Sequence, residues 1–111
     1  MHQVLIVHED DVTTVVARGE FDAFAAPELE RALFDLESST HVLVDLSSVS
    51  FMDSTALGCL VRANRACEDR GAAVRVVLPR GDARRIFEIT TLDRALPVSE
   101  SRRSALAELS R

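Results

Sequence analysis

One stretch of the sequence, DLSSVSFMDSTALGCL at positions 45–60, combines hydroxyl and carboxyl side chains with the pattern of a strand, a loop and a helix start. Ser54 and Thr55 follow Asp53 at the predicted beginning of that helix. Backbone N–H groups at a helix N-terminus lack partners and carry roughly half a positive charge. A phosphate on a hydroxyl at that position is well tolerated. The stretch therefore indicates a phosphorylation switch more than a catalytic nucleophile.

On local chemistry alone, capping and phosphorylation stay open for these side chains. Ser54 suits a small helix-capping residue, and Thr55, one position further into the helix, favours a hydroxyl bond to the backbone. Asp53 is predicted to cap the helix, a role that is compatible with recognition by a kinase. Phe51 and Met52 are interpreted as core residues or, for Met52, as an adaptable apolar contact beside the hydroxyls.

A second acidic site precedes the first predicted helix. Glu20 and Asp22 belong either to a solvated loop between strand and helix or to an acidic rim that a basic partner contacts. Because Asp22 and Ser54 follow the C-terminal ends of neighbouring parallel strands, we expect their two loops to form one surface.

Other chemistries find little support in the sequence. A G-x-S-x-G nucleophile elbow is absent, and His41 begins a strand, far from the loop that a catalytic triad would need it to reach. His2, His8 and His41 lack metal-ligand spacing. All basic residues are Arg, which excludes a Schiff-base or phosphate-loop lysine in this chain. We therefore expect no enzyme activity, no catalytic residue, no metal site and no cofactor.

Bulk properties favour one soluble domain spanning residues 1–111. Of the 111 residues, 47% are hydrophobic and 28% are charged, which suits a single compact core. No apolar run approaches the ~20 residues of a membrane span, and the N-terminus has no signal-peptide pattern. We predict a cytoplasmic protein without direct membrane insertion. The net charge of −5 disfavours nucleic acids and anionic lipids as partners but suits a basic protein.

The predicted elements begin with strands and then alternate. Val4–Val7 and Val12–Arg18 read as an antiparallel hairpin. Val42–Leu46, interrupted only by Asp45, and Val74–Leu78 are apolar runs typical of buried strands, and Pro97–Val98 suits a short edge strand. The order predicts a mixed sheet with parallel crossovers.

Helical periodicity marks the connecting segments. Pro27 suits the first turn of the first helix, and the second helix is predicted to begin at Asp53 or Ser54 and to end at Gly71. The third helix is predicted to begin at Gly81–Asp82, and Ser101–Leu109 is predicted to form the last helix. The apolar stripes assigned to these helices are Leu29, Ala32, Leu33, Leu36; Leu57, Leu60, Val61, Asn64, Cys67; Ala83, Ile86, Phe87; and Ala105, Leu106, Leu109.

The two cysteines are interpreted as buried free thiols. Cys59 and Cys67 fall on one predicted helix, roughly 12 Å apart along its axis, which is too far for a disulfide. Such thiols are typical of a reducing compartment.

Three segments carry a resemblance to a known family. GEFD at 19–22, DLSSVSFMDSTALG at 45–58 and the region 79–92 occur in the order and spacing of the STAS domains of bacterial anti-sigma factor antagonists, which this chain resembles. The resemblance implies an α/β fold with a four- to five-stranded mixed sheet, an N-terminal antiparallel hairpin, parallel crossovers and about four helices mainly on one side.

The resemblance also implies partner switching. In that family the unphosphorylated antagonist binds an anti-sigma factor that is also a serine kinase of the GHKL type, which releases the sigma factor and so regulates transcription. Phosphorylation at the start of the second helix ends binding, and a phosphatase reverses it. The family's acceptor maps onto Ser54, with Thr55 less favoured, and its acidic residue maps onto Asp22. The predicted partner-binding set is Glu20, Asp22, Met52, Asp53, Ser54, Thr55 and Leu57.

Two departures and one alternative accompany the resemblance. Ala56 stands where the family often has Gly, with no expected loss of function because Ala is the better helix former. Thr90–Thr91–Leu92 replaces a frequent Thr-Gly-Leu, so Thr91 would be strained if that position needs positive φ. The alternative function is a non-switching STAS scaffold subunit of a signalling assembly or of a lipid-transport complex.

Overall fold

The computed structural model describes residues 1–9, 11–34, 41–78, 81–89, 96 and 98–109. Strands and helices alternate after an initial hairpin, as predicted. The elements are β1 (His2–Glu9), β2 (Val12–Phe21), α1 (Ala26–Phe34), β3 (His41–Met52), α2 (Ser54–Asp69), β4 (Val74–Val77), α3 (Asp82–Ile89), β5 (Val98–Ser99) and α4 (Arg102–Leu109).

The strands form one five-stranded sheet in the order β1-β2-β3-β4-β5. The β1–β2 pair is antiparallel, and the pairs β2–β3, β3–β4 and β4–β5 are parallel. The predicted mixed sheet with an N-terminal hairpin is therefore confirmed. Both hairpin strands extend beyond their predicted bounds, since β2 runs on to Phe21 and includes Glu20. The interpretation of Glu20 as a loop residue is wrong.

The helices cover the two faces of the sheet unequally. Alternate side chains of a strand point to opposite faces. On β3, Val42 and Val44 enter the main core with the buried residues of α1, α2 and α3, whereas Leu43 packs with Ala105 and Leu109 of α4. Three helices thus cover one face, as expected, and α4 covers part of the other. Leu106 is exposed on α4, so its predicted place in the apolar stripe is wrong.

The ends of α2 follow the sequence signals. Asp53 is the N-cap, and Gly71 follows the C-cap with a positive φ of 80°, which glycine adopts without strain. Cys59 and Cys67 are free and buried on this helix, as predicted. Burial raises the pKa of both thiols, helped at Cys59 by the neighbouring Glu30 carboxylate, so both favour the neutral form.

Several predicted positions lie outside the described residues. They include Leu36 of the first stripe, the proposed strain at Thr91, and both ends of the 79–92 region. Within the described part of the chain, no helix combines the length and the apolar character that crossing a membrane requires.

A buried carboxylate ties α4 to the sheet. Asp45 Oδ2 accepts a hydrogen bond from Arg102 Nη2 at 2.6 Å, and its Oδ1 accepts from the backbone N–H of Ser47 at 2.9 Å. Burial raises the pKa of Asp45, but the Ser47 hydrogen bonds and the Arg102 guanidinium outweigh it, so the pKa lies below its usual value. The single acidic residue in an otherwise apolar run is therefore an anchor for the last helix.

The lowered pKa of Asp45 predicts a specific acid sensitivity. A carboxyl whose pKa is lower in the folded state than in the unfolded state stabilises the fold above the unfolded value, and that contribution is lost as the pH falls. Wild-type stability should therefore decline as the pH falls below the usual value of 3.8, on passing through the folded pKa. Asp45→Asn should be less stable at neutral pH but should show a smaller acid-dependent loss, measured by urea unfolding across pH. Equal acid dependence of both proteins would contradict this role.

Candidate functional site

The C-terminal ends of β2 and β3 place two acidic loops side by side. Phe21 and Met52 are register partners in these parallel strands, and the Asp53 N–H donates to the Phe21 carbonyl at 3.1 Å. Asp22 and Asp53 follow these two paired residues directly, so both leave the sheet at the same edge. The structure thus brings the Asp22 and Ser54 loops together, the geometry that the order of the elements predicts.

Gly19 shapes the approach to this edge. Its φ of +92° favours glycine, and a Cβ at this position would lie 2.2 Å from the Met1 carbonyl oxygen. That oxygen accepts a hydrogen bond from the Glu20 N–H at 3.2 Å. The glycine of the GEFD segment therefore lets the N-terminus close over the end of β2.

Replacing Gly19 with alanine should lower the unfolding free energy more than the same replacement at a glycine that also has positive φ but has no neighbouring atom where the Cβ would lie. Gly19→Ala combines left-handed strain with displacement of the Met1 carbonyl, so we expect a loss of about 2–4 kcal/mol in unfolding free energy. Gly71→Ala is the matched control, since Gly71 also has positive φ but no atom lies within 4 Å of the added Cβ. Its expected cost is about 1–2 kcal/mol. Urea unfolding measures both, and equal losses would show that the contact with Met1 contributes nothing.

Asp22 has a structural task in its own loop. Its Oδ1 accepts hydrogen bonds from the backbone N–H groups of Phe24 and Ala25, each at 3.0 Å, and its carbonyl accepts from Ala26 at 2.9 Å. The carboxylate therefore caps the turn that leads into α1. Asp22 is nevertheless exposed, as is Glu20, so both remain accessible to another molecule.

The second loop presents its hydroxyls at the start of α2. Asp53 has an extended backbone (φ −95°, ψ 179°), and its Oδ1 accepts from the Ala56 N–H at 3.1 Å, which confirms its predicted capping role. Ser54 is the first helical residue, and both Ser54 and Thr55 are exposed. Within the described residues, neither hydroxyl makes a hydrogen bond, so the expected backbone bond of Thr55 is not formed.

Two predicted contact residues lie beneath the surface instead. Met52 and Leu57 are only 3% and 4% exposed and belong to the main core. Their side chains pack under the two loops in this conformation, so their direct contact with a partner stays a prediction. The core interpretation, by contrast, is confirmed for Met52 and wrong for Phe51, which is 46% exposed.

Phe51 is exposed instead of buried because of the way in which β3 pairs with β2. Between the pairs Val16–Asp45 and Arg18–Ser48, and again between Gly19–Val49 and Glu20–Phe51, β3 contains one residue more than β2. Such bulges bend a strand and re-aim its side chains. The segment that the sequence suggests to be a loop is therefore strand up to Met52, and Phe51 turns outward opposite Glu20.

Sequence reasoning missed the exposed aromatic residues at this edge. Phe24, in the turn that Asp22 caps, is 87% exposed, and Phe51 adds a second aromatic side chain across the sheet end. The sequence FDAFAA could have indicated that Phe24 is exposed, because the small alanine side chains of such a turn cannot bury a phenylalanine ring. The site thus combines carboxylates, free hydroxyls and exposed rings.

The start of α2 offers a favourable position for a negatively charged group. The described residues contain no group of His, Cys, Asp and Glu side chains that could hold a metal ion. The N–H groups of Ser54 and Thr55 lie in the first turn of α2, where the helix carries partial positive charge. A phosphate on Ser54 would meet that charge while facing the neighbouring carboxylates.

Comparison with known proteins places this geometry in a described family. The family model of the STAS domain matches residues 3–105. The anti-sigma-B factor antagonist of Staphylococcus epidermidis is 34% identical over 96 residues, covering 85% of this chain and 89% of that protein. The protein of the same name from Staphylococcus aureus is 32% identical over 94 residues, covering 83% and 87%.

A solved structure shows the same fold over the whole chain. The crystal structure of an anti-sigma factor antagonist from Mycobacterium paratuberculosis superposes with a TM-score of 0.92 at 27% identity, covering 100% of this chain and 96% of that chain. The extent of the match includes both loops of the candidate site.

Proposed function

The chain belongs to the STAS domain family, and on that premise we propose that it is an anti-sigma factor antagonist controlled by phosphorylation of Ser54. The observation that carries the proposal is the exposed Ser54 hydroxyl, which begins α2 behind the Asp53 cap and makes no hydrogen bond within the described residues. The names of the relatives indicate that the partner is an anti-sigma factor. The exposure of Ser54 makes its hydroxyl accessible for modification.

The proposed cycle assigns the chemistry to the partner proteins. The unphosphorylated chain binds an anti-sigma factor that is a serine kinase of the GHKL type, and the sigma factor is released. The kinase transfers the γ-phosphoryl group of ATP to Ser54 Oγ, with loss of the hydroxyl proton and release of ADP, and the complex separates. A phosphatase hydrolyses the ester and restores the hydroxyl. This chain provides the acceptor and contributes no catalytic residue.

The contact surface follows from exposure. Glu20, Asp22, Ser54 and Thr55 are exposed at one sheet edge, and Asp53 is half-buried between them. Met52 and Leu57 support this edge from within the core. The partner is expected to be basic at the matching surface, because the exposed carboxylates of the site face it.

A kinase assay tests the proposal. Incubation with the anti-sigma factor kinase of the same organism and ATP should add one phosphate, read by intact mass and located on Ser54 by peptide mapping. Ser54→Ala should block the addition, and Thr55→Ala is the matched control that should be modified normally. Phosphate on Thr55 or elsewhere would reject the assignment. Failure of the unmodified chain to bind any anti-sigma factor would favour the scaffold alternative.

Asp22 should contribute charge to binding in addition to capping its turn. Asp22→Asn keeps the Oδ1 acceptor for Phe24 and Ala25 but removes the negative charge, so we expect an unchanged melting temperature and weaker binding to the kinase, by up to about tenfold. Asp22→Ala should also destabilise the chain by about 1 kcal/mol because the cap is lost. Calorimetry measures binding, and unchanged affinity of Asp22→Asn would remove this charge from the interface.

A further inference from the structure

The first strand forms an unprotected edge of the sheet. Among the strands that the structure describes, β1 pairs with β2 alone, over eight residues from His2 to Glu9 without a register shift. Edge strands are usually blunted by proline, lysine, a bulge or a short length, because their free N–H and C=O groups invite another strand. The sequence HQVLIVHE contains neither proline nor lysine, and the pairing shows no bulge. β1 is therefore open to pairing along its length.

Apolar side chains line both faces of this edge. Leu5, Ile6 and Val7 are 38%, 45% and 41% exposed. Their register partners on β2 assign the faces: Ile6 lies opposite Val15 of the main core, whereas Leu5 lies opposite Val16 on the other face. α4 contacts β3, β4 and β5, and the cluster that it forms with them reaches Val12 at the start of β2 but includes neither Leu5 nor Val7.

We propose that β1 pairs antiparallel with β1 of a second copy of this chain, about a two-fold axis that passes through Ile6. The resulting dimer would carry a continuous sheet across both subunits. A two-fold interface requires that residue i meets residue j and that j meets i. The sequence of β1 satisfies this requirement with apolar pairs on both faces, which selects a second copy over an unrelated strand.

The register between the two β1 strands is restricted by the alternation of side chains between the faces of the sheet. Directly opposed side chains lie on the same face of a sheet, so even-numbered positions meet even-numbered ones and odd meet odd. With Ile6 on the axis, Ile6 meets its own copy, and Leu5 of each chain meets Val7 of the other. With Leu5 on the axis, Val7 would instead face the amide of Gln3. The Ile6 register therefore joins all three exposed aliphatic residues.

Charge also permits this pairing. With histidines neutral, Glu9 is the only charged side chain of β1, and in the Ile6 register it faces Gln3 of the other copy. The Gln3 amide can donate to that carboxylate, and no two carboxylates of β1 oppose each other. Because the two strands run in opposite directions, the Asp22 and Ser54 surfaces lie at opposite ends of the joined sheet. Both would stay accessible, so dimerisation and the proposed partner binding are independent.

Two experiments test the dimer and its register. Sedimentation velocity should show a concentration-dependent monomer–dimer equilibrium that Ile6→Lys abolishes, with circular dichroism unchanged. Ile89→Lys, at a residue of α3 that is 72% exposed against 45% for Ile6, is the control and should dimerise normally. A wild-type chain that stays monomeric at all concentrations, or an Ile6→Lys variant that still dimerises, would overturn the proposal.

Cross-linking then locates the axis. Cysteines at one cross-strand pair come within disulfide reach, so Ile6→Cys should oxidise to a covalent dimer. Leu5→Cys, one residue from the axis, should not. Cys59 and Cys67 are buried and give little background. A covalent dimer from Leu5→Cys and none from Ile6→Cys would overturn the Ile6 register.

Discussion

Phosphorylation of Ser54 is expected to weaken binding to the anti-sigma factor by more than a hundredfold and to leave the fold intact. The phosphate adds about −1.5 to −2 charges at neutral pH. Those charges would lie close to Asp22 and Asp53, at the surface that we propose to contact the partner while the Ser54 hydroxyl is unmodified. A loss of ~3 kcal/mol of binding free energy already gives more than a hundredfold.

The same charge should stabilise the isolated chain slightly. Ser54 is the first residue of α2, where negative charge is favoured by about 0.3–1 kcal/mol. Binding and stability are therefore expected to change in opposite directions, which separates a local switch from unfolding. The Asp53 cap is already formed without the phosphate, so the helix start needs no rearrangement to receive it.

Calorimetry with the phosphorylated chain and with Ser54→Asp measures this effect. Ala107→Asp adds one charge at an exposed position of α4, on the far face of the sheet, and is the matched control that should bind normally. Circular dichroism and the melting temperature should be nearly unchanged, and amide shifts in NMR spectra should be confined to residues near Ser54 and Asp22. Shifts across the hairpin and α4 would indicate a global conformational change instead.

The parts of the fold that depend on local pattern were predictable from the sequence. The hairpin, the parallel crossovers, the cap at Asp53 and the glycine stop at Gly71 each rest on signals within a few residues. The adjacency of the Asp22 and Ser54 loops followed from strand order, because parallel neighbours end at the same edge. Whether Ser54 accepts a phosphate remains a prediction.

The parts that depend on pairing between distant segments were not predictable. The two bulges of β3 exist only relative to β2, so nothing in the local sequence shows that Phe51 turns outward and Met52 inward. The structural role of Asp45 likewise depends on a hydrogen bond from Arg102, a residue that is distant in the sequence. The sequence pattern showed an interruption in an apolar strand, and the structure shows an ion pair that holds α4 against the second face.

Alanine substitutions at the adjacent residues Phe51 and Met52 should therefore have different effects, the first mainly on binding and the second mainly on stability. Met52→Ala removes a buried side chain beneath the two loops, so we expect a loss of about 2–5 kcal/mol in unfolding free energy. Phe51→Ala should cost less than about 1 kcal/mol of stability, because its ring is nearly half exposed at the strand end.

Binding to the anti-sigma factor should show the reverse order. Truncating an exposed aromatic residue in an interface commonly costs more than 1 kcal/mol, so Phe51→Ala should weaken binding about tenfold. Met52→Ala, assayed by calorimetry at a temperature where it remains folded, should bind within a few-fold of the wild type. Phe34→Ala tests for a general effect of losing a partly exposed ring, since Phe34 lies at the end of α1 and should not affect binding. If Met52→Ala lost more affinity than Phe51→Ala while folded, Met52 would have to leave the core on binding, and the outward turn of Phe51 would have no part in recognition.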